Sequence, residues 1–177
     1  MVNSVPITTL LSLAHYNKWA YQRLLNGLST VSDEDYYGNA GLVFRSLHGT
    51  LCHLYVADRN WHARFVNDYP DNYKESQLLW RGDDCYATPS ATSSPWESAA
   101  QCWIDWLTKF PENTDLPKLN FLTSSGEQRK DQDSGLLMLH VFNHATHHRG
   151  QITAGVTHFG YPPIDGLDYY VYLTEQK

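Results

Sequence analysis

Cysteine is scarce in this sequence. The 177 residues include only Cys52, Cys85 and Cys102, an odd number that lacks the CxxC spacing of zinc ribbons and redox motifs. Neither a disulfide framework nor a cysteine-based zinc site is therefore expected. The same scarcity is typical of a reducing compartment, so we expect a cytoplasmic protein.

Long apolar runs and basic clusters are lacking too. No stretch approaches the ~20 apolar residues that a membrane-spanning helix needs, and no basic segment precedes the short apolar run near the N-terminus, which argues against a signal peptide. Thirteen Lys and Arg residues against nineteen Asp and Glu residues give a net charge of −6. Without a Lys/Arg cluster to follow a phosphate backbone, we expect no contact with nucleic acid, and none with a membrane.

Apolar residues recur at helical spacing in four long segments. This 3–4 alternation, together with capping signals, predicts helices over residues 6–28, 44–67, 94–110 and 134–159. Six tryptophans and twelve tyrosines supply a heavily packed interior. A chain of this length buries enough surface for one domain, which we place over residues 1–177.

The segments between the helices differ in length. Residues 68–94 are predicted to form a long loop with a short turn around 76–80, and residues 117–132 a small hairpin or irregular crossover. Long crossovers favour a bundle that is not simply up and down. The predicted fold class is therefore all-α, a four-helix bundle with a small hairpin before the last long helix.

Histidine is concentrated in that last helix. His140, His144 and His148 follow one another at i, i+4 steps, with His147 beside them. Imidazoles four residues apart on a helix can bind one metal ion, although the glutamate that zinc-dependent proteases place between such histidines is missing here. Any one of these histidines alone would more often be an ordinary surface or core residue, but four together favour a metal site.

Asp58 interrupts an otherwise apolar seam of the second long helix, which is formed by Leu47, Leu51, Leu54, Trp61 and Phe65. A buried carboxylate needs a cationic or N–H partner, for which Arg149 or a ligand histidine are candidates. Alternatively the helix is rotated slightly and Asp58 lies at the solvent edge. Asn17 falls on the apolar stripe of the first helix, as either a packing bridge or a pocket residue.

A third metal ligand can come from the second helix. His53, His48 and His62 point in different directions on it, so only one of them can join the pair His144 and His148. The spacing of these residues does not decide which one does.

Three blocks of the sequence resemble the DinB/YfiT family of metal-dependent enzymes. They are NHATHHRGQI at 143–152, SLHGTLCHLYVADRNW at 46–61 and HYNKWA at 15–20, and their order and separation agree with the family over most of the chain. The resemblance implies a DinB-type four-helix bundle that holds one divalent metal through His53, His144 and His148. It leaves His147 and His140 without a ligand role, and it implies a homodimer.

The chemistry that this resemblance implies follows from the ligand number. Three protein ligands leave an open position on the metal, which is typical of catalytic sites, and three neutral imidazoles leave the ion its full charge, which lowers the pKa of a bound water or thiol. Thiol transfer to a substrate, with a low-molecular-weight thiol, is the activity that we favour, because no Glu or Asp adjoins the ligands as a base for water. Asp58 or Glu97 could approach in the fold, and Asp58, Arg149 and His147 are the candidates for residues that support the ligands.

Two other functions stay open. One is a metal-dependent hydrolase, and the other is a stress protein that binds a metal or a small molecule without turnover. A site of three histidines accepts zinc or nickel, which we expect first, and also iron or cobalt. Cys52 adjoins His53 in sequence but points away from it on the helix, so we interpret Cys52 as core packing and not as a nucleophile.

Overall fold

The computed structural model describes residues 5–68, 95–123 and 125–176. Within these ranges the chain forms six helices and one two-stranded sheet. Almost all of the predicted loop over 68–94, including its turn at 76–80, lies outside the described residues. No helix in the described ranges is both long enough and apolar enough to cross a membrane.

The four predicted long helices are all present. They are α1 (Ile7–Leu28), α3 (Leu47–Val66), α4 (Pro95–Leu107) and α5 (Ser134–His158). The helix α3 begins later than predicted, because Arg45 has a left-handed backbone (φ 65°) and Ser46 is extended. The Ser46 side chain then accepts a hydrogen bond from the backbone N–H of Gly49 and caps the helix.

The remaining elements are short. The helix α2 (Asp33–Tyr37) follows a capping serine, and α6 (Tyr169–Glu175) packs on α1 near the C-terminus. Strands β1 (Leu119–Leu122) and β2 (Gln128–Gln132) pair antiparallel just before α5. The prediction of an all-α bundle with a small hairpin is therefore confirmed.

The long helices pack in an order that differs from their order in the chain. Both α1 and α3 pack against α4, and both also pack against α5. Because α1 and α3 each touch the same two neighbours, these consecutive helices occupy opposite corners of the bundle. The chain must therefore cross the end of the bundle between them, as the predicted crossovers require.

Two apolar clusters fill the bundle. One contains Leu24, Leu51 and Trp96, and the other contains Leu10, Phe65 and Trp103. The buried polar residues Asn17 and Asp58 fall between the two clusters along α1 and α3. The bundle therefore carries a polar layer in its middle.

The cysteines differ from expectation at one position. Cys102 is a free, half-buried thiol, whereas the buried Cys52 is disulfide-bonded. The expectation that cysteine plays no crosslinking role is therefore wrong for Cys52. This bond removes the argument from cysteine for a reducing compartment.

Candidate metal centre

Three histidines from two facing helices meet at one point. His53 comes from α3, and His144 and His148 come from successive turns of α5. The Nε2 atom of His144 lies 3.2 Å from Nε2 of His53 and 3.1 Å from Nε2 of His148. All three ligand atoms lie within 4.8 Å of one another.

These separations fit a shared metal ion. Two nitrogens that each lie about 2.0–2.1 Å from one ion are about 3.3–3.4 Å apart at a tetrahedral angle and about 2.9 Å apart at a right angle. The observed 3.1 and 3.2 Å fall between these two values. His144 is therefore spaced from each of its two neighbours as two ligands of one divalent cation would be.

Hydrogen bonding alone explains the cluster less well. A neutral imidazole carries one N–H, and Nε2 of His144 has two imidazole nitrogens at contact distance. One N–H of His144 cannot point at both with good geometry, whereas a cation accepts a lone pair from each ring. The donor set thus fits a metal better than it fits a network of histidines.

The surroundings keep two histidines of the cluster neutral. Burial, together with the neighbouring His148 and His53, lowers the pKa of His144 to about 3. Burial also lowers the pKa of His148, against a smaller opposing effect of its hydrogen bond to Gln151. Neutral imidazoles are the form that binds metals.

Phe44 covers one side of the cluster. Its ring stacks on His53 with centroids 4.0 Å apart and planes 16° from parallel, and its ring centroid lies 5.6 Å from that of His148. A tight turn places it there, since the backbone N–H of Arg45 donates to the carbonyl of Leu42. No pattern in the sequence pointed to this residue.

Gln151 was also missed as a site residue, although it lies in the motif after the histidines. It follows His148 by three positions on α5, so the two side chains share a face. Its Oε1 lies 2.7 Å from Nδ1 of His148, and its Nε2 lies 3.1 Å from Nε2 of His147. Partners of this kind commonly orient metal-binding histidines.

The other candidate histidines lie elsewhere. The His48 ring packs against Tyr36 and Tyr37, and the His62 ring against Trp103. Of the three alternatives on α3, the structure therefore brings His53 to the α5 pair. His140 is exposed, with its ring 5.9 Å from that of His144.

Asp58 is buried, at 2% exposure, so the alternative that placed it at the solvent edge is wrong. Its carboxylate accepts hydrogen bonds from Tyr21 Oη at 2.8 Å and from Trp103 Nε1 at 3.3 Å. Burial raises the pKa of Asp58 to about 6, although these two bonds and the charge of Arg149 act in the opposite direction. The two donors, Tyr21 and Trp103, lie on α1 and α4, so their bonds to Asp58 connect these helices to α3.

The predicted partner Arg149 acts on Asp58 through its charge, while its hydrogen bonds go to other residues. Its guanidinium donates to Asn17 Oδ1 at 2.6 Å and to Thr146 Oγ1 at 2.9 Å. Asn17, the buried residue whose role the sequence left open, therefore accepts from Arg149 and lies close enough to Asp58 to lower its pKa. The direct hydrogen bonds to Asp58 come from Tyr21 and Trp103, which corrects the predicted pairing with Arg149 or a ligand histidine.

Fold and site together define a class. The protein is a four-helix bundle in which histidines of two facing helices can hold a metal ion. The chain belongs to the DinB family, whose model matches residues 1–177.

A curated relative supports this assignment. The chain is 28% identical to "Protein DinB" of Bacillus subtilis (strain 168) over 175 residues, which covers 93% of this chain and 94% of the relative. No solved structure matches the chain significantly.

The lowered pKa of His144 predicts how acid affects the metal-free protein. The unfolded chain takes up a proton at this residue below about pH 6.5, whereas in the folded site the residue stays neutral down to about pH 3. Because the unfolded state binds more protons in this range, the free energy of unfolding decreases as the pH falls from 6.5 toward 3. Asp58 acts in the opposite sense, because its pKa is raised and the folded state gains relative stability as the pH falls from 6 toward 3.8. The two residues must therefore be separated by mutation.

We expect His144→Phe to lose less stability than wild type between about pH 7 and pH 5. Denaturant unfolding of the metal-free proteins at each pH measures this difference. The exposed His15 supplies the control, since His15→Phe should follow the wild-type pH dependence. If His144→Phe showed the same pH dependence as wild type, the lowered pKa of His144 would be contradicted.

Proposed function

We propose that this protein is a metal-dependent enzyme that transfers a small thiol to an electrophilic substrate. His53, His144 and His148 would hold one divalent ion, with zinc or nickel expected first. The observation that carries the proposal is the convergence of three imidazole nitrogens without a carboxylate or thiolate among the described residues of the cluster.

The ligand set favours chemistry at an open position. Such an ion, when bound, lowers the pKa of a thiol or water beside it and so supplies a nucleophile near neutral pH. Burial keeps the rings of His144 and His148 neutral, and the ring of Phe44 shields His53 from solvent. The chain thus supplies the ligand side chains and partly excludes solvent from them.

A thiol fits this site better than a water nucleophile. Water attack is helped by a general base near the metal, and the carboxylate of Asp58 is already engaged by Tyr21 and Trp103. A thiol is more acidic than water, so it loses its proton without a dedicated base. In the proposed reaction the thiol proton goes to solvent, sulfur forms a bond to the electrophilic carbon, and the leaving group departs with its electron pair.

The test is a turnover assay on metal-loaded protein. An aryl chloride is mixed with each of several small thiols, and release of chloride is followed with and without a chelator. We expect chloride release only when both metal and thiol are present. The His140→Ala variant should retain this activity, because His140 lies outside the cluster.

The other outcomes decide between functions. Metal-dependent cleavage of a model ester without any thiol would replace thiol transfer by hydrolysis. Stoichiometric metal without consumption of any substrate would overturn the enzyme and favour a binding protein.

A further inference from the structure

Gln151 makes two contacts that assign the protons of neighbouring histidines. It is half-buried on α5, with its Oε1 at 2.7 Å from His148 Nδ1 and its Nε2 at 3.1 Å from His147 Nε2. One amide thus joins a residue of the cluster to an exposed histidine outside it.

The first contact determines where the His148 proton lies. An amide oxygen only accepts hydrogen bonds, so the Nδ1 atom of His148 must carry the N–H. A neutral imidazole has one N–H, which leaves a lone pair on His148 Nε2. That is the atom 3.1 Å from Nε2 of His144, where a metal ligand needs a lone pair.

The second contact fits the same orientation of the amide. The Nε2 group of Gln151 only donates, so Nε2 of His147 accepts. With the amide turned over, its NH₂ would face His148 Nδ1 and favour a proton on His148 Nε2. When His147 carries its proton on Nδ1, the lone pair on its Nε2 favours the amide orientation that keeps His148 ready to bind a metal.

We propose that Gln151 is a positioning residue that selects the Nδ1–H tautomer of His148, and that His147 holds the Gln151 amide in the required orientation. The consequence for metal affinity rests on the proposed function, because it requires His148 to be a ligand. Loss of such an outer hydrogen bond typically lowers metal affinity roughly 10–100-fold.

Three variants separate the parts of this arrangement. Gln151→Met keeps the length of the side chain but offers no strong acceptor. Gln151→Glu keeps the acceptor for His148 and loses the donor to His147. His147→Phe removes the group that orients the amide. Thr157→Ala is the matched control on the same helix, since its hydroxyl bonds only within the turn, to the carbonyl of Ala154.

The first measurement is the tautomer of His148, read from ¹⁵N NMR shifts of the metal-free protein at mildly alkaline pH. We expect Nδ1–H in wild type, Gln151→Glu and Thr157→Ala, a shift toward Nε2–H in Gln151→Met, and an intermediate mixture in His147→Phe. A wild-type His148 with its proton on Nε2, or an unchanged tautomer in Gln151→Met, would overturn the inference.

The second measurement is zinc affinity by competition with a chelator. We expect Gln151→Met to bind zinc roughly 10–100-fold more weakly than wild type and Gln151→Glu to recover most of that loss. Equal affinity of Gln151→Met and wild type would overturn the link to metal binding. If wild type binds no metal, the proposed function fails, and the tautomer measurement still decides the role of Gln151.

Discussion

His148→Ala should abolish stoichiometric binding of a divalent metal. Two imidazoles would remain, and a site with two protein ligands holds an ion far less well than a site with three. Loss of an outer hydrogen bond already costs roughly 10–100-fold in affinity, so loss of a ligand should exceed that range. Metal content after purification and competition with a chelator measure the effect.

His140→Ala is the matched control for this prediction. His140 lies two turns before His148 on α5, but it is exposed and outside the cluster. The His140→Ala protein should bind metal like wild type, and circular dichroism should show that His140→Ala and His148→Ala are both folded. A His148→Ala protein that binds one ion as tightly as wild type would exclude the proposed centre.

The helices and two of the three histidines of the cluster could be predicted from local sequence. The spacing of His144 and His148 fixes their relation on α5 wherever the helix packs, because a helix repeats every 3.6 residues. The position of His53 could not be deduced in this way. Its approach depends on how α3 is rotated against α5, which the packing of the whole bundle decides, and only the family resemblance separated it from His48 and His62.

Prediction from the sequence reached a similar limit at the polar layer in the middle of the bundle. The apolar seam of α3 predicted a buried Asp58, and the structure confirms its burial. Its partners Tyr21 and Trp103 are aromatic residues of α1 and α4 that had been assigned to packing. Hydrogen bonds between helices that are distant in sequence leave no periodic signal, so the prediction named Arg149 or a ligand histidine as the partner instead.

The disulfide of Cys52 shows that amino-acid composition alone does not predict which cysteines are paired. Three cysteines without a recognisable spacing look like free thiols, yet the pairing of cysteines depends on their distance in the folded chain. The count alone was therefore a weak guide to the compartment.

Asp58→Ala should destabilise the protein strongly. The change leaves the hydroxyl of Tyr21 and the indole N–H of Trp103 without their acceptor and removes the nearby negative charge that faces the buried Arg149. Breaking a buried charged arrangement by removing one partner typically costs about 3–5 kcal/mol. Denaturant unfolding at neutral pH measures this loss of free energy of unfolding.

Further variants distinguish a polar network from a simple cavity. Asp58→Asn keeps the volume but only one acceptor oxygen, so it leaves one of the two donors without an acceptor and should cost less than Asp58→Ala, about 1–3 kcal/mol. Asp105→Ala, at an exposed position of α4, should change stability by less than about 0.5 kcal/mol. Combining Asp58→Ala with Tyr21→Phe should cost less than the sum of the single changes, because both remove the same hydrogen bond. Strict additivity would show that Asp58 stabilises the bundle through its volume and not through the bond to Tyr21.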